Sequence, residues 1–137
     1  MGASRPEPWL RLALLIGFVY FLIGRLFAAP ATHIQAWRLA AWAVCALVFA
    51  THICYERLRQ FHSVRLVALH AATAVAIGAF LLAVAGMFHS LVTTSTIRPV
   101  WLLALILWPA FTAVPAFLVA FVIAFALAHI QPRADPE

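Results

Sequence analysis

The fold is decided by residues 66–97, which read LVALHAATAVAIGAFLLAVAGMFHSLVTTSTI without a single Asp, Glu, Lys or Arg. A second uncharged run fills residues 99–132. About 20 apolar residues are enough for a helix to cross the ~30 Å hydrocarbon layer of a bilayer. Both runs exceed that length, so the sequence predicts an integral membrane protein.

The composition of the whole chain agrees with this prediction. Hydrophobic residues make up 66% of the 137 residues and charged residues only 9%, whereas soluble domains carry about 25% charged residues. A membrane barrel needs strands that alternate apolar and polar residues, but residues 39–50 and 71–85 are almost continuously apolar. We therefore predict an all-α protein, one domain over residues 1–137, built as an antiparallel bundle of four transmembrane helices.

Breaks in the apolar pattern place the spans at about residues 9–29, 34–55, 64–88 and 99–130. Pro30 ends the first span because proline cannot continue a helical hydrogen-bond ladder. The fourth span contains Pro109 and Pro115 and would be roughly 45 Å long as a straight helix. We predict that these prolines kink the fourth helix, which fits an over-long segment to the bilayer.

The nine basic residues are all arginines, and they are scattered at the predicted helix ends. Scattered charges make a poor footprint for nucleic acid, so we predict no nucleic-acid partner. With the amino terminus inside, six arginines are cytoplasmic (residues 5, 11, 57, 59, 65 and 133) and three are external (residues 25, 38 and 98). This bias predicts that both termini are cytoplasmic. The small size favours a bacterial-type inner membrane.

Small residues repeat every four positions on the second and third spans. Such spacing lets helices approach closely in lipid. The residues predicted to pack are Ala46, Ala50, Ala72, Ala76 and Gly78. We expect the second and third spans to form a tight hairpin.

Histidines are the main source of candidate ligands. His52 and His70 fall at similar depth near the inner side, and His33 and His89 near the outer side. Two histidine pairs on facing helices resemble the ligands of di-haem membrane cytochromes. Here the pairs are separated by roughly 28 Å along each helix, which is too far for stacked haems. Interfacial histidines are the simpler interpretation, and His70 with His52 are the candidate ligands of a haem, chlorin or carotenoid.

Glu56 lies four residues after His52, so the two side chains share a helix face. With His62 or His70 they could hold a metal ion. Arg57, Arg59 and Arg65 lie close to Glu56 in the sequence. An ion pair with one of these arginines is a simpler role for the carboxylate than metal binding. We therefore predict an arginine partner for Glu56 and no metal site.

Arg25 lies about one turn from the outer end of the first span. Its side chain can extend to the interface, where it would contact a lipid headgroup or another anion.

The sequence carries no catalytic triad, phosphate-binding glycine loop or redox cysteine pair, so we name no catalytic residue. The expected role is non-enzymatic: an accessory or structural subunit that acts through helix–helix contacts in a homo-oligomer or a larger membrane complex. A binder of a hydrophobic cofactor or lipid is the alternative. A small transporter is a further alternative, weakened because the spans contain no carboxylate of the kind that proton-coupled transporters use.

Overall fold

A computed structural model describes residues 8–28, 32–60, 62–95 and 99–130. These residues form four helices: α1 (Pro8–Ala28), α2 (Ile34–Arg59), α3 (Val64–Thr94) and α4 (Pro99–Ile130). Each helix is long and apolar enough to cross a membrane, and α2 is the least apolar of the four. The prediction of an all-helical protein with four candidate spans is confirmed.

The helix ends follow from local chemistry. Ser63 caps α3 because its hydroxyl accepts a hydrogen bond from the Leu66 N–H at 3.4 Å. Ser95 ends α3 in the left-handed conformation, and its N–H donates to the Leu91 carbonyl at 2.9 Å. Helices α2 and α3 continue past the predicted ends at residues 55 and 88, because hydropathy marks where the apolar segment stops and not where the helix stops.

Helix α3 is the centre of the packing. It contacts α4 most extensively, then α1, and α2 much less. A Cβ atom added to Gly78 of α3 would lie 2.7 Å from the Tyr20 Cβ of α1, and one added to Gly17 of α1 would lie 2.6 Å from the Ile77 side chain. Glycine at both positions therefore allows α1 and α3 to approach closely.

The predicted tight hairpin of the second and third spans is wrong. Ala72 and Gly78 are buried on α3, as close packing requires, and Ala76 is half-buried. Their helix packs mainly on α4 and α1, whereas Ala46 and Ala50 of α2 are exposed. Small residues allow two helices to approach closely, but they do not determine which helix packs against them. The small residues of the third span could therefore have packed against any of the other three helices.

Helix α4 continues through both Pro109 and Pro115. The Thr112 hydroxyl donates to the carbonyls of Trp108 and Pro109, both at 3.0 Å. Pro109 and Pro115 lack the N–H that would bond the carbonyls of Leu105 and Phe111, and the Thr112 hydroxyl bonds neither of these two carbonyls.

One apolar cluster joins the carboxyl ends of α2 and α4 to the start of α3. Its buried members are Ile53, Val67, Ala68, Ala71, Ala120 and Ala124. The alanines let the three helices come close, and the cluster fixes the end of the bundle at which the polar residues described next are gathered.

Candidate functional site

Glu56 is the centre of the candidate site. It lies in the last turn of α2 and is 0% exposed. Glu56 lies one residue beyond the predicted end of the second span at residue 55, but α2 continues past it to Arg59. A buried carboxylate is costly unless it is hydrogen-bonded or paired, so its partners decide what the site can do.

Two histidines hold the two carboxylate oxygens of Glu56. His52 lies one turn earlier on α2, and its Nε2 is 3.2 Å from Oε1. His70 comes from α3, and its Nδ1 is 2.9 Å from Oε2. An ionised carboxylate only accepts hydrogen bonds, so we assign both ring nitrogens as donors. These contacts connect α2 to α3 through buried polar groups.

A third histidine approaches from the connection between the two helices. His62 Nδ1 lies 3.7 Å from Glu56 Oε2, beyond hydrogen-bond distance. This nitrogen is buried and has no hydrogen-bond partner among the described residues. The Arg57 guanidinium donates to the His62 carbonyl at 3.0 Å and so holds the backbone of this residue.

The predicted arginine partner of Glu56 is therefore wrong. Within the described chain, every ion-pair contact of Glu56 is to a histidine. Arg57 turns instead to a backbone carbonyl, and Arg59 and Arg65 are exposed. A long arginine side chain at a helix end reaches water easily, whereas the histidines are held where the carboxylate is buried.

Trp9 of α1 covers the site. Its ring stacks on His70 with the centroids 4.7 Å apart and the planes 5° from parallel. The His62 ring meets the same imidazole edge-on at 5.4 Å. Three helices and the α2–α3 connection thus enclose His70. The sequence does not identify Trp9 as part of this site, because the packing of α1 on α3 cannot be read from it.

The predicted candidate ligands His70 and His52 both belong to this site, joined through Glu56 and not facing each other across a flat cofactor. Arg25 is exposed in the last turn of α1. His33 and His89 are exposed as well. The signal that could have identified the site was the spacing of His52 and Glu56 on one helix, with His70 two turns into the next.

The chemistry of the site follows from its donors. One atom each from Glu56, His62 and His70 lies within 4.8 Å of the other two. A carboxylate with imidazoles can form a hydrogen-bonded ion pair or coordinate a metal ion. The chain matches no protein-family model, no curated protein and no solved structure.

Proposed function

We propose that the protein is a non-enzymatic accessory subunit that acts through helix–helix contacts in a membrane. The proposal rests on one observation: α2 packs least against the rest of the chain and turns a row of small residues outward. A helix so placed is available to a second copy of this chain or to another membrane helix.

The outward row has the shape of a groove. Ala43, Ala46 and Ala50 are exposed on α2 and lie within a narrow arc of the helix surface. Trp42, which is 77% exposed, and Leu47 flank this row on either side. We call these five residues the α2 outer face. Small residues between bulky ones let a partner helix approach closely, which drives helix association in lipid.

Helix α4 offers a contrasting surface. Its exposed residues are bulky, among them Ile106, Phe111, Val114 and Val122. Bulky aliphatic and aromatic side chains are suited to contact with lipid tails, which are as apolar as they are. We therefore assign the lipid contact mainly to α4 and the protein contact to α2.

The proposed setting is an antiparallel four-helix bundle in a cytoplasmic inner membrane, with both termini in the cytoplasm. The arginine bias supports this orientation. Helix α4 has 32 residues, about 48 Å if straight, against a ~30 Å hydrocarbon layer. A bend at Pro109 and Pro115 would reduce this mismatch, and we include it in the proposal.

Cysteine cross-linking tests the α2 outer face directly. In a Cys45→Ala, Cys54→Ala background, the Ala46→Cys variant should form a disulfide-linked dimer when membranes are oxidised. Such a bond requires Cα atoms within about 7 Å. The matched control is Val122→Cys on α4, which should remain monomeric. Equal cross-linking of the two variants, or dimers of the control alone, would remove α2 as the interface.

A size measurement complements the cross-link. The Ala46→Phe variant fills the groove, so we expect its detergent-corrected mass to fall to that of a monomer if two copies associate. Ala110 is an exposed position on α4, so the Ala110→Phe variant should keep the detergent-corrected mass of the wild-type protein. The proposal would be contradicted if the wild-type protein is monomeric and is not part of a larger complex in membranes.

A hydrophobic cofactor held by His70 and His52 is the second candidate. It is favoured by the buried His52 Nδ1, which has no hydrogen-bond partner among the described residues. An absorption spectrum of the detergent-purified protein tests it, since haem, chlorin and carotenoid all absorb visible light. A colourless preparation would remove this candidate.

A further inference from the structure

The geometry at Glu56 points to a site for one divalent transition-metal ion of the zinc class, and we propose that Glu56, His62 and His70 are its ligands. The arginines near Glu56 in the sequence predicted an ion pair and no metal site. The histidines now found around that carboxylate are common ligands of such ions. This inference is independent of the α2 outer face.

The spacing of the donor atoms fits tetrahedral coordination. Ligands at 2.0–2.1 Å from a tetrahedral zinc ion lie about 3.3 Å from one another. Glu56 Oε2 is 2.9 Å from His70 Nδ1 and 3.7 Å from His62 Nδ1, which brackets that value. The three ligand atoms already lie within 4.8 Å of one another. On binding, a metal ion would replace the proton that His70 Nδ1 donates to Glu56 Oε2, and neutral His70 would carry its proton on Nε2 instead.

An unpartnered ring nitrogen supports the choice of His62 as a ligand. His62 Nδ1 is buried without a hydrogen-bond partner among the described residues, and it lies 3.7 Å from Glu56 Oε2. A buried polar atom without a partner costs free energy. A metal ion between this nitrogen and the carboxylate would give the nitrogen a partner, and 30% exposure of the His62 side chain gives the ion a route from water.

His52 and Arg57 would support the ligands from outside. His52 Nε2 lies 3.2 Å from the second carboxylate oxygen, where its N–H orients Glu56. Arg57 holds the His62 backbone through the carbonyl. The positive charge of Arg57 opposes any cation. The two imidazole ligands favour a transition metal over Mg²⁺ or Ca²⁺, which prefer oxygen ligands.

The set of two histidines and one carboxylate leaves a fourth tetrahedral position open for water or another ligand. Because the ligands come from α2, from the α2–α3 connection and from α3, a bound ion would join two helices that otherwise make few contacts. Metal binding should therefore stabilise the folded chain.

Cobalt titration tests the site. Detergent-purified protein without a histidine tag should take up about one Co²⁺ per chain with the intense visible bands of tetrahedral Co²⁺. Zn²⁺ should displace Co²⁺ and raise the melting temperature. Visible bands as weak as those of aqueous Co²⁺, or an unchanged melting temperature, would overturn the proposal.

Three variants locate the binding. His62→Ala should weaken Co²⁺ affinity by at least about tenfold, and His52→Ala by about 10–100-fold through the orientation of Glu56. His129→Ala, at an exposed histidine on α4, should bind as wild type. His62 is partly exposed, so its variant should fold, which circular dichroism checks. Wild-type affinity in His62→Ala, or loss in His129→Ala, would contradict the assignment.

Discussion

Glu56 shows how one buried residue organises its surroundings. Its two oxygens accept from histidines on two helices, so neither the carboxylate nor those two ring nitrogens is buried without a partner. Such networks are stable when every member is satisfied and costly when one member is lost. The contacts of Glu56 are therefore the part of the site most sensitive to substitution.

Glu56→Ala should lower the free energy of unfolding by about 3 kcal/mol, because it leaves two buried imidazoles without their acceptor. Denaturation in mixed micelles measures this change. Thr51→Ala is the control on the same helix, since Thr51 is exposed and its hydroxyl bonds the Leu47 carbonyl one turn earlier. We expect it to change stability by less than about 0.5 kcal/mol. Equal stability of the two variants would refute a structural role for Glu56.

Trp9 should shield His70 from solvent. The Trp9→Ala variant removes the ring that stacks on this imidazole, so we expect severalfold faster modification of His70 by diethyl pyrocarbonate, read by mass spectrometry. Trp108→Ala, at an exposed tryptophan on α4, should leave the rate unchanged. An unchanged rate in Trp9→Ala would mean that other groups bury His70.

At the residue scale, the sequence predicted His52 and His70 as the notable side chains and missed how they are used. The four-residue spacing brought His52 and Glu56 to one face. The choice between arginine and histidine as partner depended on how far α2 continues, because a longer helix carries Glu56 into the packed end of the bundle. Hydropathy alone does not measure that length.

At the scale of elements, the contact between α1 and α3 depends on space that glycine leaves. Gly78→Leu should lower the free energy of unfolding by about 1–3 kcal/mol or displace α1, since a Cβ there would meet the Tyr20 Cβ and the Gly17 carbonyl oxygen. Ala110→Leu on the exposed surface of α4 should have little effect. Thermal unfolding in detergent compares the two, and a Gly78→Leu variant as stable as Ala110→Leu would contradict the close contact.

The helices themselves could be predicted because the medium imposes them. A segment in hydrocarbon must satisfy its backbone hydrogen bonds internally, so the apolar runs determined the number of helices. Which helices pack together was not predictable in the same way, because alanine occurs on all four helices. The Gly17 and Gly78 contact is recognised only once α1 lies on α3.

At the scale of the whole molecule, the sequence predicts a membrane protein far more firmly than it predicts a function. Four apolar helices account for nearly all of the residues that the structure describes, and these helices contain few polar residues to carry chemistry. The site around Glu56 gathers residues from α2, α3 and the connection between them, with Trp9 added from α1. Such a grouping depends on the packing of the bundle, which is why it emerged only from the structure.

The orientation of the molecule decides which compartment reaches the Glu56 site, and labelling can determine it. In a Cys45→Ala, Cys54→Ala background, Thr32→Cys lies before α2 and Gln60→Cys lies after it, both at exposed positions. The arginine bias predicts that a membrane-impermeant maleimide labels Thr32→Cys in intact spheroplasts and labels Gln60→Cys only after permeabilisation. The reverse pattern would place the His62 side of the site outside the cytoplasm, where ions would reach it without crossing the membrane.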